Sequence, residues 1–278
     1  MTAIEVNGLR KTYQGREVVC GIDLAVARGE VFALLGPNGA GKTTTVEILE
    51  GHRRRDAGDV RVLGEDPGAA GRAWRARIGV VLQDAGDGAD LTVRELMRHI
   101  AGLYPDPQPV DEVIELVDLA QKRDSKIRAL SGGQRRRVDV ALGIVGRPDL
   151  LFLDEPTTGF DPQARRQFWE MVRSLAAEGT TILLTTHNLE EAEALADRLA
   201  VLAGGRIVAV GTPATLGGRG TVGATVSWRE NGEPRVEKVT DPTGLVRKLV
   251  AEEADLSSLT VTRPTLEDVY LTLIGAGR

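Results

Sequence analysis

The stretch Gly36-Pro37-Asn38-Gly39-Ala40-Gly41-Lys42-Thr43-Thr44 fits the pattern G-x-x-x-x-G-K-[ST], and its flanks decide the fold. The apolar run Val31–Leu35 precedes it and residues 43–49 read as a helix after it, so the glycines occupy a strand-to-helix turn. Glycine lets the backbone fold tightly enough for several N–H groups to converge on anionic oxygens, and the following helix adds the positive end of its dipole. Lys42 supplies a point charge for the β- and γ-phosphates of a nucleotide, and the Thr43 hydroxyl is placed to ligate Mg²⁺. The function is therefore tied to ATP or GTP.

Outward from this loop, residues 4–9 and 17–25 are strand-like and predict a β-rich edge ahead of the nucleotide core. Residues 78–82 form another strand-like run. From about 84 to 148 the pattern turns helical. Thr92-Val93-Arg94-Glu95 is a capping box opening a helix over 96–103, prolines between 105 and 109 interrupt, and 110–119 resumes. Residues 150–153 and 182–184 are short, wholly apolar runs of the kind buried on both faces of a parallel sheet, with Pro162–Ala177 as a crossover helix. The fold class is thus α/β with an all-helical insert. After Gly211-Thr212-Pro213 the composition changes: 221–228, Asn231-Gly232 and 235–239 read as a hairpin with a type I′ turn. Residues 245–254 look helical and 259–262 extended, and Thr265-Leu266-Glu267-Asp268 caps a last helix through Leu273. The expected division is a nucleotide-binding domain at 1–215 and a small α+β C-terminal domain at 216–278.

Composition supports an ordinary globular protein: 278 residues, 42% hydrophobic, 27% charged, net charge −5. No apolar run approaches the roughly 18 residues of a membrane span, and Met1-Thr2-Ala3-Ile4-Glu5 lacks the basic-then-apolar pattern of a signal sequence, so a cytoplasmic location is expected. Cys20 is the single cysteine, which excludes an intrachain disulfide. An acidic balance with 4% aromatic residues gives no basic stripe or stacking platform for nucleic acid. Arg53-Arg54-Arg55 and Arg135-Arg136-Arg137 accordingly read as solvated or carboxylate-paired faces.

A second glycine motif, Leu130-Ser131-Gly132-Gly133-Gln134, is followed by Leu150-Leu151-Phe152-Leu153 ending in Asp154-Glu155-Pro156. With the first loop, this combination resembles the ATP-binding cassette (ABC) family over about three-quarters of the chain. The resemblance implies a P-loop NTPase cassette with a RecA-like core. In that frame Gly36, Pro37, Asn38, Gly39, Ala40, Gly41, Lys42, Thr43 and Thr44 match the Walker A loop, and Ser131, Gly132, Gly133 and Gln134 the family signature. Residues 150–154 match the Walker B strand, Thr158-Gly159-Phe160-Asp161 the D-loop, and His187 the switch histidine. Phe160 stands where the family often has leucine. Gln83 matches the Q-loop, and Tyr13 sits where the family stacks an aromatic on adenine. The implied roles are Asp154 holding Mg²⁺ through water, Glu155 orienting or deprotonating the attacking water, His187 donating to the γ-phosphate, and Gln83 touching Mg²⁺ or the lytic water.

The signature and the P-loop are both anion sites, and the family resolves this with a head-to-tail pair in which one protomer's signature closes over the nucleotide of the other. One cassette in the chain then implies a second cassette, most simply a homodimer, and an integral membrane permease on another polypeptide. The tail Arg263-Pro264-Thr265-Leu266-Glu267-Asp268-Val269-Tyr270 resembles that of ATPase subunits from ABC-2-type exporters, a branch that includes antibiotic efflux. The expectation is an exporter ATPase peripheral on the inner face of the membrane, with importer ATPases as the nearest alternative in the family. A soluble mechanochemical ATPase acting on ribosomes, DNA or cluster assembly is the rival from another class, and a nucleotide sensor without turnover a third.

Overall fold

The computed structural model describes residues 1–81, 89–219, 223–230, 232–252 and 255–275, so Gln83 and Asn231 lie outside the described residues. In chain order the strands are β1 (Thr2–Tyr13), β2 (Arg16–Ala27), β3 (Val31–Leu35), β4 (Ala57–Val62), β5 (Ile78–Val81), β6 (Leu150–Asp154), β7 (Thr181–Thr186), β8 (Arg198–Ala203), β9 (Arg206–Gly211), β10 (Ala224–Glu230), β11 (Glu233–Val239) and β12 (Asp255–Thr262). The α-helices are α1 (Lys42–Leu49), α2 (Arg72–Arg75), α3 (Val93–Ala101), α4 (Val110–Leu116), α5 (Gly132–Ile144), α6 (Pro162–Ala177), α7 (Leu189–Leu195), α8 (Pro242–Ala251) and α9 (Leu266–Gly275).

The central sheet has the order β5-β6-β7-β3-β8-β9, with β9 antiparallel to β8 and the other pairs parallel. Strand β3 is apolar at every position, and β6 and β7 are apolar over 150–153 and 182–184, because both faces are covered. Val31, Ala33 and Leu35 of β3 join one buried cluster, whereas Phe32 and Leu34 join another across the sheet. Strand β6 divides the same way, with Leu151 and Leu153 on the first side and Leu150 and Phe152 on the second. A second, antiparallel sheet, β2-β1-β4, packs Ile4, Val6, Val60 and Val62 into that second cluster. Beyond the strands expected from the sequence, β4, β8 and β9 complete these two sheets.

The insert is helical, as its pattern implies. Thr92 and Glu95 form the reciprocal capping box at the start of α3, with Thr92 N donating to Glu95 at 2.8 Å and Glu95 N to Thr92 at 3.2 Å. Helix α4 stops at Leu116, short of the expected 119, because Asp118 takes a left-handed backbone (φ 56°) that turns buried Leu119 back into the core. Helix α8 begins earlier than 245, since Asp241 caps it at Gly244 N (2.9 Å) and Pro242 supplies the preset first-turn φ.

The expectation of solvated or carboxylate-paired arginines after the signature is met at Arg135 and Arg137, and Arg136 departs from it in being buried rather than solvated. Arg135 is exposed, and Arg137 pairs with Asp118 at 2.7 Å, but Arg136 is buried and bonds to main-chain carbonyls. The reason is helical period: Arg136 and Arg137 fall on the same stripe as buried Val140, Ala141 and Ile144. Arg53 and Arg55 do pair with carboxylates, Glu47 at 2.5 Å and Asp66 at 2.7 Å.

After β9, strands β10 and β11 form the antiparallel hairpin and β12 pairs on the other side of β10, giving a three-stranded sheet. Helix α8 covers it through Leu249 against Val226 and Trp228. Helix α9 instead sends Leu266 and Tyr270 into the main core beside Leu216. Among the described residues no helix is long and apolar enough to cross a membrane.

Candidate nucleotide site

Parallel strands bring their C-terminal ends to one edge, and there the chain leaves the sheet to build a site. Register aligns Leu35 with Thr186 and Asp154 with Thr185, so the loops after β3, β6 and β7 emerge side by side. Each carries candidate residues: Gly36 to Thr43, Asp154 and Glu155, and His187 respectively.

The phosphate loop requires its glycines for distinct reasons. Gly36 lies against β8, where a Cβ would sit 2.4 Å from the Leu202 carbonyl oxygen. Gly41 has φ 103°, and a Cβ there would sit 2.8 Å from the Val18 carbonyl oxygen. Helix α1 starts at Lys42 with no side chain capping its first N–H groups, so these donors remain directed at the loop. Val18, Asn38, Gly39, Gly41, Lys42, Thr43, Thr44, Asp154 and Glu155 line a cleft of about 370 Å³.

Lys42 is 5% exposed, and its ammonium donates to the carbonyl oxygens of Gly36 (2.8 Å) and Pro37 (3.3 Å). Glu155 closes the set, with Oε1 3.3 Å from Lys42 Nζ and Oε2 3.2 Å from His187 Nδ1. One carboxylate thus joins the P-loop cation to the histidine of a different strand. Glu155 has a left-handed backbone (φ 44°), costly for a residue with a Cβ, and its amide is held by the Thr185 carbonyl (3.2 Å) and hydroxyl (3.1 Å). The Thr185 hydroxyl also donates to Asp154 Oδ1 at 2.5 Å, which orients Oδ2 to 3.5 Å from the Thr43 hydroxyl. Hydroxyl and carboxylate facing each other across this gap are hard oxygen donors of the kind Mg²⁺ takes, so the residues fit that ion.

Behind the loop, Glu50 ends α1 and is 4% exposed. Burial, followed by the charges of Asp154 and Glu47, pushes its carboxyl up to about 8.

Other sequence candidates lie elsewhere. Ser131 caps α5 in a capping box with Gln134, and Ser131 and Gly132 are exposed and absent from the lining of the cleft. Asp161 caps α6, accepting from the amides of Gln163 and Ala164, each at 2.9 Å. Phe160 is buried edge-on to Phe168, with ring centroids 5.7 Å apart. Tyr13 is half-buried at the end of β1, also outside the cleft lining, with Lys11 Nζ and Arg53 Cζ 5.5 and 5.3 Å from its ring centroid. Sequence reading missed Val18 and Thr185. Nothing local marks Val18, whereas Thr185 and Thr186, hydroxyls closing an apolar strand, were a legible signal.

A family model described as "ABC transporter" matches residues 19–158. The chain is 39% identical to a daunorubicin resistance ATP-binding protein, DrrA3, of Streptomyces coeruleorubidus, over 100% of this chain and 97% of that protein. It is 48% identical to the Nod factor export ATP-binding protein I of Ralstonia nicotianae, over 77% of this chain and 68% of the relative. Among solved structures, cbiO1 of Clostridium perfringens, part of the ABC transporter complex cbiONQ, superposes with TM-score 0.70 at 28% identity, covering 77% of this chain and 89% of that one.

Proposed function

Since the chain belongs to the ABC transporter family, as an ATP-hydrolysing subunit that works with a membrane permease, we propose that it powers the export of lipophilic drug-like or antibiotic compounds. The observation that carries the catalytic part is the Lys42–Glu155–His187 constellation, three segments joined through one carboxylate at 3.3 and 3.2 Å. The export reading is supported by full-length similarity to a daunorubicin resistance protein and by the Nod factor export relatives. No observation favours a soluble machine acting on ribosomes or DNA.

Phosphoryl transfer is catalysed by positioning and charge stabilisation, and each need has a residue here. Lys42 exchanges its contact with Glu155 for the β/γ-phosphates, which frees the carboxylate to orient or deprotonate the attacking water. His187 holds the other carboxylate oxygen and donates to the γ-phosphate. Thr43 and Asp154 would hold Mg²⁺, Asp154 through water, and the ion would neutralise charge on the phosphates. Gln83 is assigned the switch role, and Tyr13 is assigned to the adenine. Ser131, Gly132, Gly133 and Gln134, at the N-terminus of α5 where Ser131 and Gly132 are exposed, serve the nucleotide of a second cassette, with Asp161 at the shared interface. The permease docks near the groove of about 580 Å³ lined by Arg72, Arg75, Leu103 and Tyr104, on the inner face of the membrane. Residues 1–215 form the cassette, with its helical subdomain at about 84–148, and 216–278 an accessory domain.

The test is to express tagged Glu155→Gln in the native host, solubilise it in mild detergent with ATP and Mg²⁺, and identify what co-purifies. A multi-span membrane protein in stoichiometric amount is the expected result. Ribosomes, nucleic acid or soluble partners alone would overturn the transporter assignment.

A further inference from the structure

Arg136 is a long, permanently charged side chain that is 7% exposed, so its position needs a reason. Two of its hydrogen bonds reach out of α5 to the loop after β6: Nη2 donates to the Asp154 carbonyl at 2.8 Å and Nε to the Pro156 carbonyl at 3.1 Å. The residue between those two carbonyls is Glu155. Its left-handed backbone is therefore gripped from two sides, its amide by Thr185 of β7 and the flanking carbonyls by one planar guanidinium. A planar fork suits this task and an ammonium does not, because two acceptors are met at fixed separation.

The same helix begins at the signature. Ser131 caps α5, and Arg136 lies five residues on, about 7.5 Å along the axis at 1.5 Å per residue. A helix transmits displacement of its first turn rigidly over that length. Movement of the exposed signature end thus reaches the backbone of Glu155 through one side chain.

We infer that Arg136 is a positioning residue for hydrolysis, setting the aim of the Glu155 carboxylate and linking it to the signature helix. The inference rests on the reading of Glu155 as the residue that handles the attacking water. Loss of the guanidinium leaves two carbonyls short of a donor and releases the strained turn, so the carboxylate swings off its line while Lys42 and the phosphate loop remain in place.

The test is a double-mutant cycle on the full-length chain with ATP and Mg²⁺, measuring ATP affinity, single-turnover hydrolysis and thermal melting for Arg136→Met, Arg136→Lys, Glu155→Gln and Arg136→Met combined with Glu155→Gln. Arg136→Met is expected to lower the hydrolysis rate about 100-fold, the scale of an ångström-sized misplacement, with ATP affinity changed less than about threefold. Arg136→Lys, which keeps one donor within reach, recovers part of the rate. In the Glu155→Gln background the Arg136→Met change adds less than about threefold, because the group it positions is already gone. Fully additive losses, or a loss of affinity matching the loss of rate, would overturn the inference. A lower melting temperature with a normal rate per folded molecule would also do so. Normal hydrolysis by Glu155→Gln alone would instead overturn the catalytic assignment on which the inference rests.

Discussion

Glu50→Gln tests whether a buried carboxyl behind the phosphate loop burdens the fold as the pH rises. Three features oppose its charge: burial to 4% exposure, the neighbouring carboxylates Asp154 and Glu47, and a place at the C-terminal end of α1, where the helix dipole disfavours an anion. His52 Nδ1 lies 3.2 Å from Oε2, but that ring is largely exposed and offsets little. Folding raises the pKa from 4.5 to about 8. For a raised pKa the associated stability is fully present below 4.5 and is lost progressively until the pH passes about 8. A shift of about 3.5 units at 1.36 kcal/mol each amounts to about 5 kcal/mol over the whole window. Glutamine has the same shape and no proton to lose, so the variant lacks this slope. The assay is urea unfolding of wild type and variant in parallel at pH 5.5, 6.5 and 7.5. Other groups titrate equally in both proteins and cancel in the difference. The stability of Glu50→Gln relative to wild type is expected to grow by slightly less than the limiting value of about 1.4 kcal/mol per pH unit, roughly 2 to 3 kcal/mol across the series. A difference that stays constant with pH would refute the reasoning and place the Glu50 pKa near 4.5 in the folded state.

Three further substitutions address the nucleotide site. Lys42→Ala is expected to weaken ATP binding about 10- to 100-fold in a fluorescence titration, the scale of a lost charge-assisted hydrogen bond, and unchanged affinity would contradict its phosphate role. Ser131→Ala should slow turnover by about two- to tenfold and, through the lost cap of α5, cost about 1 kcal/mol of stability, while leaving ATP affinity of the isolated monomer unchanged. An equal loss of affinity in monomers would count against a signature that acts on a partner's nucleotide. Gly41→Ala is expected to destabilise the fold by roughly 2–4 kcal/mol, combining left-handed strain with the clash at the Val18 carbonyl, and a melting temperature equal to wild type would contradict that geometry.

What the sequence determined by itself was whatever is encoded locally. The P-loop is nine consecutive residues between a strand and a helix, and β3 and α6 appear at the bounds their patterns imply. The capping boxes at Thr92 and Thr265 were legible for the same reason, since a cap is a matter of residues three apart. The motifs also carried the resemblance to the ABC family, and through it the roles proposed for Asp154, Glu155 and His187. Contacts between segments far apart in the chain were beyond that reach. Lys42, Glu155 and His187 meet because parallel strands β3, β6 and β7 share one edge, and no spacing within the chain expresses a distance of 3.3 Å between residues 42 and 155. The three adjacent arginines after the signature show the limit most clearly. Composition makes them alike and helical period separates Arg135 from the other two, but only tertiary packing decides that Arg137 pairs with Asp118 while Arg136 is buried against the carbonyls on either side of Glu155.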